Sequence, residues 1–119
     1  MKRDMDLVRR ILLAMEARPQ AEAGYPLKVD GCEAERVNYH VLLLQEAGLI
    51  TAIDTGLQWL PVDLTWKGHE FLDAARDERR WRRAASIVER QKGAVPFQVL
   101  EDLLLRLAHD AVVKPSKKR

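Results

Sequence analysis

At 119 residues, 47% hydrophobic and 32% charged, the chain suits one small domain with a single buried core and is too apolar for a disordered polymer. No stretch near ~18 apolar residues lacks charges, and Asp4, Asp6 and Glu16 interrupt the opening, so neither a membrane span nor a secretory signal is expected. The net charge of +2 hides an asymmetry: residues 1–60 carry seven basic and nine acidic side chains, residues 61–119 thirteen and nine, and four of the positive charges fall within Lys114 to Arg119.

Leu7, Val8, Ile11, Leu12 and Met15 repeat along one face of a first helix, with Asp4 and Asp6 at its start and Pro19 at its end. Tyr25, Leu27 and Val29 alternate with Pro26, Lys28 and Asp30, which predicts a short edge strand closed by Asp30-Gly31. A second helix is expected from Glu33 to Ala47, with Val37, Val41 and Leu44 inward and Gly48 as its left-handed stop. Leu49–Asp54 and Leu57–Leu64 then form a hairpin across Thr55-Gly56. Thr65 should cap a long third helix from Trp66 to about Gln91, its inner face Phe71, Ala74, Trp81, Ala85 and Val88, closed by Gly93. Pro96 opens a fourth helix carrying Phe97, Leu100, Leu103, Leu104, Leu107 and Ala111. Lys114 to Arg119 has no apolar content and is expected to be a disordered basic tail.

The order helix, strand, helix, hairpin, helix is that of a winged-helix domain. Leu44-Gln45-Glu46-Ala47-Gly48-Leu49-Ile50 resembles the end of a recognition helix in winged-helix regulators. Leu64-Thr65-Trp66-Lys67-Gly68-His69-Glu70-Phe71-Leu72 resembles the element that follows the wing, with Thr65 capping and Gly68 allowing close helix packing. More of the chain is similar to an uncharacterised family found in phages and prophages of bacteria. The residues carrying that likeness are the opening Met1 to Arg9, Tyr39-His40 with Leu44, Ala47 to Ile50, and Leu64 to Asp73. This resemblance implies a helix-turn-helix-like accessory protein of a mobile element and supplies no catalytic residue. One departure stands out. Pro19 to Glu33 leaves room for at most one turn of the helix that normally precedes the recognition helix and anchors it on phosphates.

Two surfaces are candidates. On the second helix, Glu35, Tyr39, Leu42 and Glu46 form the outward stripe. Either the C-terminal helices cover that stripe or it serves as a protein interface, because carboxylates repel phosphates and aromatic or aliphatic anchors typify hot spots. Arg36, Asn38 and Gln45 flank it and are the candidate base readers, together with a 54–60 wing. Farther along, Arg76, Arg79, Arg80, Arg82 and Arg83 surround Trp81, and Arg76, Arg79, Arg83 and Arg90 share one helical stripe. This face either grips phosphates or is a solvated surface paired with Asp73, Asp77 and Glu78. His40, His69 and His109 lack metal-ligand spacing, and His40 beside the inner stripe reads as a satisfied, half-buried histidine. Cys32 stands alone, which excludes an internal disulfide and fits a reduced, cytoplasmic protein. There is no phosphate-binding glycine loop and no nucleophile elbow.

The expected fold is α+β, mainly α: a winged-helix-like domain over 1–75, a two-helix C-terminal extension of the same domain over 76–113, and the tail 114–119. The expected function is non-enzymatic, with no cofactor and no metal. Two readings stand side by side. One is a phage-type regulatory protein that contacts DNA through Arg36, Asn38, Gln45, Arg76, Arg79, Arg80 and Arg83. The other is a module that inhibits or redirects a host protein through Glu35, Tyr39, Leu42 and Glu46. The apolar fourth helix is expected to pack on the first helix, on a second copy of the chain, or on both, which leaves a homodimer through the C-terminal helices open.

Overall fold

The computed structural model describes residues 1–90 and 96–113, the side chains of Glu89, Phe97 and Val113 excepted. The chain divides into two compact units, Met1–Leu72 and Asp73–Arg119. The described residues are mainly helical with a single two-stranded antiparallel sheet, an α+β composition. Among them no helix is long and apolar enough to cross a membrane.

In the first unit, α1 runs over Met5–Ala17, and the Asp4 side chain caps it by accepting from the Asp6 and Leu7 N–H groups. The expected stripe Leu7, Val8, Ile11, Leu12 and Met15 is buried, each large side chain contributing on the order of 2 kcal/mol. A single 3-10 turn, Gln20–Glu22, follows Pro19. Among the described residues it is the only helical turn between α1 and α2, Ala34–Glu46, which buries Val37, His40, Val41 and Leu44. The helix ends in a Schellman arrangement: Gly48 takes φ +79°, its N–H bonds the Gln45 carbonyl, and the Leu49 N–H bonds the Leu44 carbonyl. The strands β1, Ile50–Asp54, and β2, Trp59–Leu64, then pair with a register shift beside Ala52, opposite Pro61, where a ladder donor is missing. The unit's core forms where α1 packs on α2 and β2, and α2 packs on both strands.

The helix α3, Trp66–Ala75, starts as expected. The Thr65 hydroxyl accepts from the Gly68 N–H at 3.0 Å and donates to the Gly48 carbonyl at 2.6 Å, and the Thr65 N–H donates to the Leu49 carbonyl. Cap, strand entry and the preceding helix stop are thereby knotted together.

The alternation over 25–29 does not make a strand. Leu27 and Val29 turn partly or wholly inward and Tyr25 is exposed, but no ladder forms. The position a ladder needs is taken. The Arg18 guanidinium donates to the carbonyls of Tyr25 and Pro61 at 3.1 and 2.5 Å, and the Gly24 N–H also donates to Pro61. Pro26 has no N–H to offer.

The single helix expected from Trp66 to Gln91 is two helices. α3 stops at Ala75, and α4 runs over Glu78–Glu89. Asp77, read from the sequence as an ion-pair partner, is the N-cap, its carboxylate accepting from the Arg80 N–H at 2.9 Å. A short carboxylate outside a helix satisfies an otherwise orphan N–H, which favours the break. Phe71, Ala74 and Trp81 are buried as expected, but Ala84 rather than Ala85 completes the inner face, with Ala85 and Val88 half-buried. In the second unit α4 packs with α5, Phe97–Val113, which buries Leu100 and Leu104 and half-buries Leu103 and Leu107. The expected stop at Gly93 and tail 114–119 lie outside the described residues.

Candidate interaction surfaces

Three of the residues expected to reach bases are held inside the first unit. The Asn38 Oδ1 accepts the Trp59 N–H of β2 at 2.5 Å, and the Gln45 Oε1 accepts the Ala52 N–H of β1 at 3.1 Å. One amide from each end of α2 thus clips one strand of the hairpin. An amide that reads adenine uses its oxygen and its NH₂ together, and here both oxygens are occupied. The Arg36 guanidinium pairs with the Asp4 carboxylate at 2.6 Å. On the outward stripe Glu35 and Glu46 are exposed, whereas Tyr39 and Leu42 are half-buried, Tyr39 standing edge-on to His40 with ring centres 5.6 Å apart.

His40 is fully buried rather than half-buried, and both its nitrogens are used. Nδ1 lies 2.8 Å from the Arg36 carbonyl and therefore carries the proton; Nε2 accepts the Asp4 N–H at 2.9 Å. Asp4, His40 and Arg36 form one network that seats the start of α1 against α2. Partial burial pushes the Asp4 carboxyl up, but the Leu7 N–H, the Arg36 guanidinium and the Asp6 N–H together outweigh it and hold the carboxyl below its ordinary value of 3.8. A carboxyl depressed on folding adds stability that is present above 3.8 and lost as pH falls through its folded value. Arg36→Ala should therefore cost about 0.5–1 kcal/mol in urea unfolding at neutral pH, and the difference from the parent should vanish well below pH 3.8. An equal difference at both pH values would assign Arg36 a packing role instead.

The hairpin tip, expected as a DNA-contacting wing over 54–60, presents an apolar side chain instead of cations. Asp54 accepts the Gly56 N–H at 2.8 Å, and Thr55 Oγ1 accepts the N–H groups of Leu57 and Gln58 at 3.3 and 3.0 Å. Thr55 also bonds the Gln58 carbonyl through its N–H and its hydroxyl. On this tied turn Leu57 is 94% exposed, and Ile53 farther down β1 is 51% exposed. From Ile50 to Leu64 there is no Lys or Arg, only Asp54 and Asp63. Tyr25 and Trp66 are exposed elsewhere on the first unit. The available signal was a leucine beside the turn glycine, where no core can reach it.

In the second unit Arg76 pairs with Asp73 at 3.0 Å and Arg82 with Glu78 at 2.8 Å, the solvated pairing expected for part of this cluster. Arg80 is half-buried and reaches the Ala74 carbonyl. Arg79, Arg83 and Arg90 are exposed. On α5, Leu105 and Val112 are exposed one heptad apart. Cys32 is half-buried with the Arg10 Nη1 at 3.4 Å. Among the described residues no three His, Cys, Asp or Glu side chains are grouped so as to hold a metal ion.

A hairpin between capped helices, an apolar acidic tip and an arginine-studded helix are the distinctive surface features of the described residues. Residues 2–95 match the family described as Hypothetical protein (DUF2513), and the chain belongs to that family. It is also similar to an uncharacterized protein of Haemophilus influenzae, 43% identical over 86 residues that cover 68% of this chain and 73% of that protein. No solved structure matches the chain. The likeness to an uncharacterised family holds; the matched span takes in the hairpin and α4 and ends before α5.

Proposed function

We propose that the chain is a non-enzymatic regulatory binding protein of the phage or prophage type, and that its winged-helix-like first unit docks on another protein rather than reading duplex bases. The single observation that carries this reading is the hairpin. A wing that follows a phosphate backbone needs cations, whereas Ile50 to Leu64 has none and presents Leu57 at 94% exposure on a tied turn. A pre-ordered apolar side chain enters a pocket at low entropic cost. The outward carboxylates of Glu35 and Glu46 and the internal engagement of Arg36, Asn38 and Gln45 favour the same reading. The partner this tip fits has an apolar pocket, with a basic rim to complement Asp54. The observed order of helix, helix, hairpin and helix, without the strand expected at 25–29, and the resemblance carried by the sequence motifs support the winged-helix and mobile-element parts. The exposed Leu105 and Val112 support pairing of two copies through α5.

Leu57 is the residue to test, because Tyr39 is half-buried and its loss would also disturb packing. A partner captured from host extract by the full chain should bind Leu57→Asp at least about 30-fold more weakly, the scale of a hot-spot loss. It should bind Arg79→Glu with Arg83→Glu as the parent does. Equal capture by Leu57→Asp and the parent would end the reading.

A further inference from the structure

We infer that the exposed face of α4 formed by Arg79, Arg83, Ser86 and Arg90 grips the phosphate backbone of nucleic acid without reading its sequence. Residues 79, 83, 86 and 90 fall within a narrow arc at 3.6 residues per turn, and all four side chains are exposed. Helical rise separates Arg79 from Arg83 by about 6 Å and Arg83 from Arg90 by about 10 Å. The row spans about 16 Å, over which one strand of a duplex presents about five phosphates. The helix is held so that this face stays outward: Trp81 and Ala84 are buried on the opposite side, and α4 packs with α5.

Two of the three neighbouring carboxylates pair with arginines off the stripe, and the third, Asp77, caps the helix while also acting on the Arg79 charge. Asp77 is turned to the Arg80 N–H, Glu78 to Arg82 and Asp73 to Arg76. Arg79 and Arg83 make no ion pair among the described residues. They therefore present planar, permanently charged forks that match phosphate oxygens in pairs. Residues 73–119 hold twelve basic and seven acidic side chains, four of the basic ones in 114–119 off the stripe, while residues 1–72 hold eight and eleven.

Nucleic acid rather than an acidic protein is the occupant this face fits. Protein interfaces concentrate their energy in a buried aromatic or aliphatic anchor, and between Arg79 and Arg90 the stripe offers only Arg83 and the Ser86 hydroxyl. Phosphate contacts need cations alone and carry no sequence information. The inference is independent of the hairpin reading, because the two surfaces share no residue.

The test is fluorescence anisotropy of the full chain with two labelled duplexes of unrelated sequence. Both should bind at 50 mM salt with affinities within about threefold of each other. Neutralising three phosphates predicts an affinity loss of about 40-fold between 50 and 200 mM salt. Arg79→Glu with Arg83→Glu should lower affinity at least tenfold with unchanged circular dichroism, and Leu57→Asp should leave it unchanged. Three results would overturn the inference: no binding at 50 mM salt, binding that survives the double substitution, or poly-glutamate displacing duplex as well as unlabelled duplex does.

Discussion

Gly68→Ala should be the most damaging single-methyl change in the first unit, costing about 3 kcal/mol or more and lowering the melting temperature by roughly 10 °C. A Cβ at this position would sit well inside 3.0 Å of the Leu49 carbonyl oxygen and 3.0 Å from its carbon. The obstacle is backbone, so no side-chain rotation relieves it. Nor is that carbonyl free to retreat, because it accepts the Thr65 N–H at 3.0 Å. Moving it would loosen the cap of α3 and the entry into β1 together. Gly56→Ala is the comparison. Gly56 has φ +85° but open space around it, so the substitution meets only the left-handed penalty of about 1 kcal/mol. Thermal unfolding of the two variants should rank them in that order. A Gly68→Ala protein melting within a degree or two of the parent would mean that α3 does not rest on Leu49.

The second large effect is at His40. His40→Ala should cost about 3–4 kcal/mol, and His40→Phe, which keeps the volume, about 2. The difference separates packing from hydrogen bonding. The ring is fully buried, and its Nε2 accepts the Asp4 N–H ahead of α1, where helix donors lack intrahelical partners. Phenylalanine fills the space but leaves that N–H without an acceptor. Because Arg36 also acts on Asp4, the costs of His40→Phe and Arg36→Ala should not add. Urea unfolding of the two single variants and the double variant measures the coupling. A His40→Phe protein as stable as the parent would show that the network contributes shape alone.

Much of the frame was legible in the chain. Leu7, Val8, Ile11, Leu12 and Met15 repeat with helical period and are buried, because burial follows periodicity when one face meets a core. Gly48, Thr65 and Gly68 also behave as read. A helix stop, a cap and a close approach each depend on residues a few positions apart, or on the missing side chain itself. The break at Asp77 was written in the same local language but lay inside a charge run that reads equally well as ion pairs. The arginine stripe was visible as spacing, and its exposure follows from Trp81 taking the inner face.

The roles of the polar residues on α2 were not legible. Arg36, Asn38 and Gln45 carry donors and acceptors that suit base edges, and nothing in their spacing says that Asp4, Trp59 and Ala52 arrive first. The same is true of 25–29, where alternation is real but Arg18 fills the place of a neighbouring strand. Periodicity and capping are encoded within one turn of the chain, so they survive without coordinates. Which partner a hydrogen-bonding group finds depends on segments far away in sequence that folding brings within 3 Å or so, the reach of a hydrogen bond. Helices, stops and cores thus came from local chemistry, while the inward amides and the bare leucine on the hairpin tip followed from how distant elements meet.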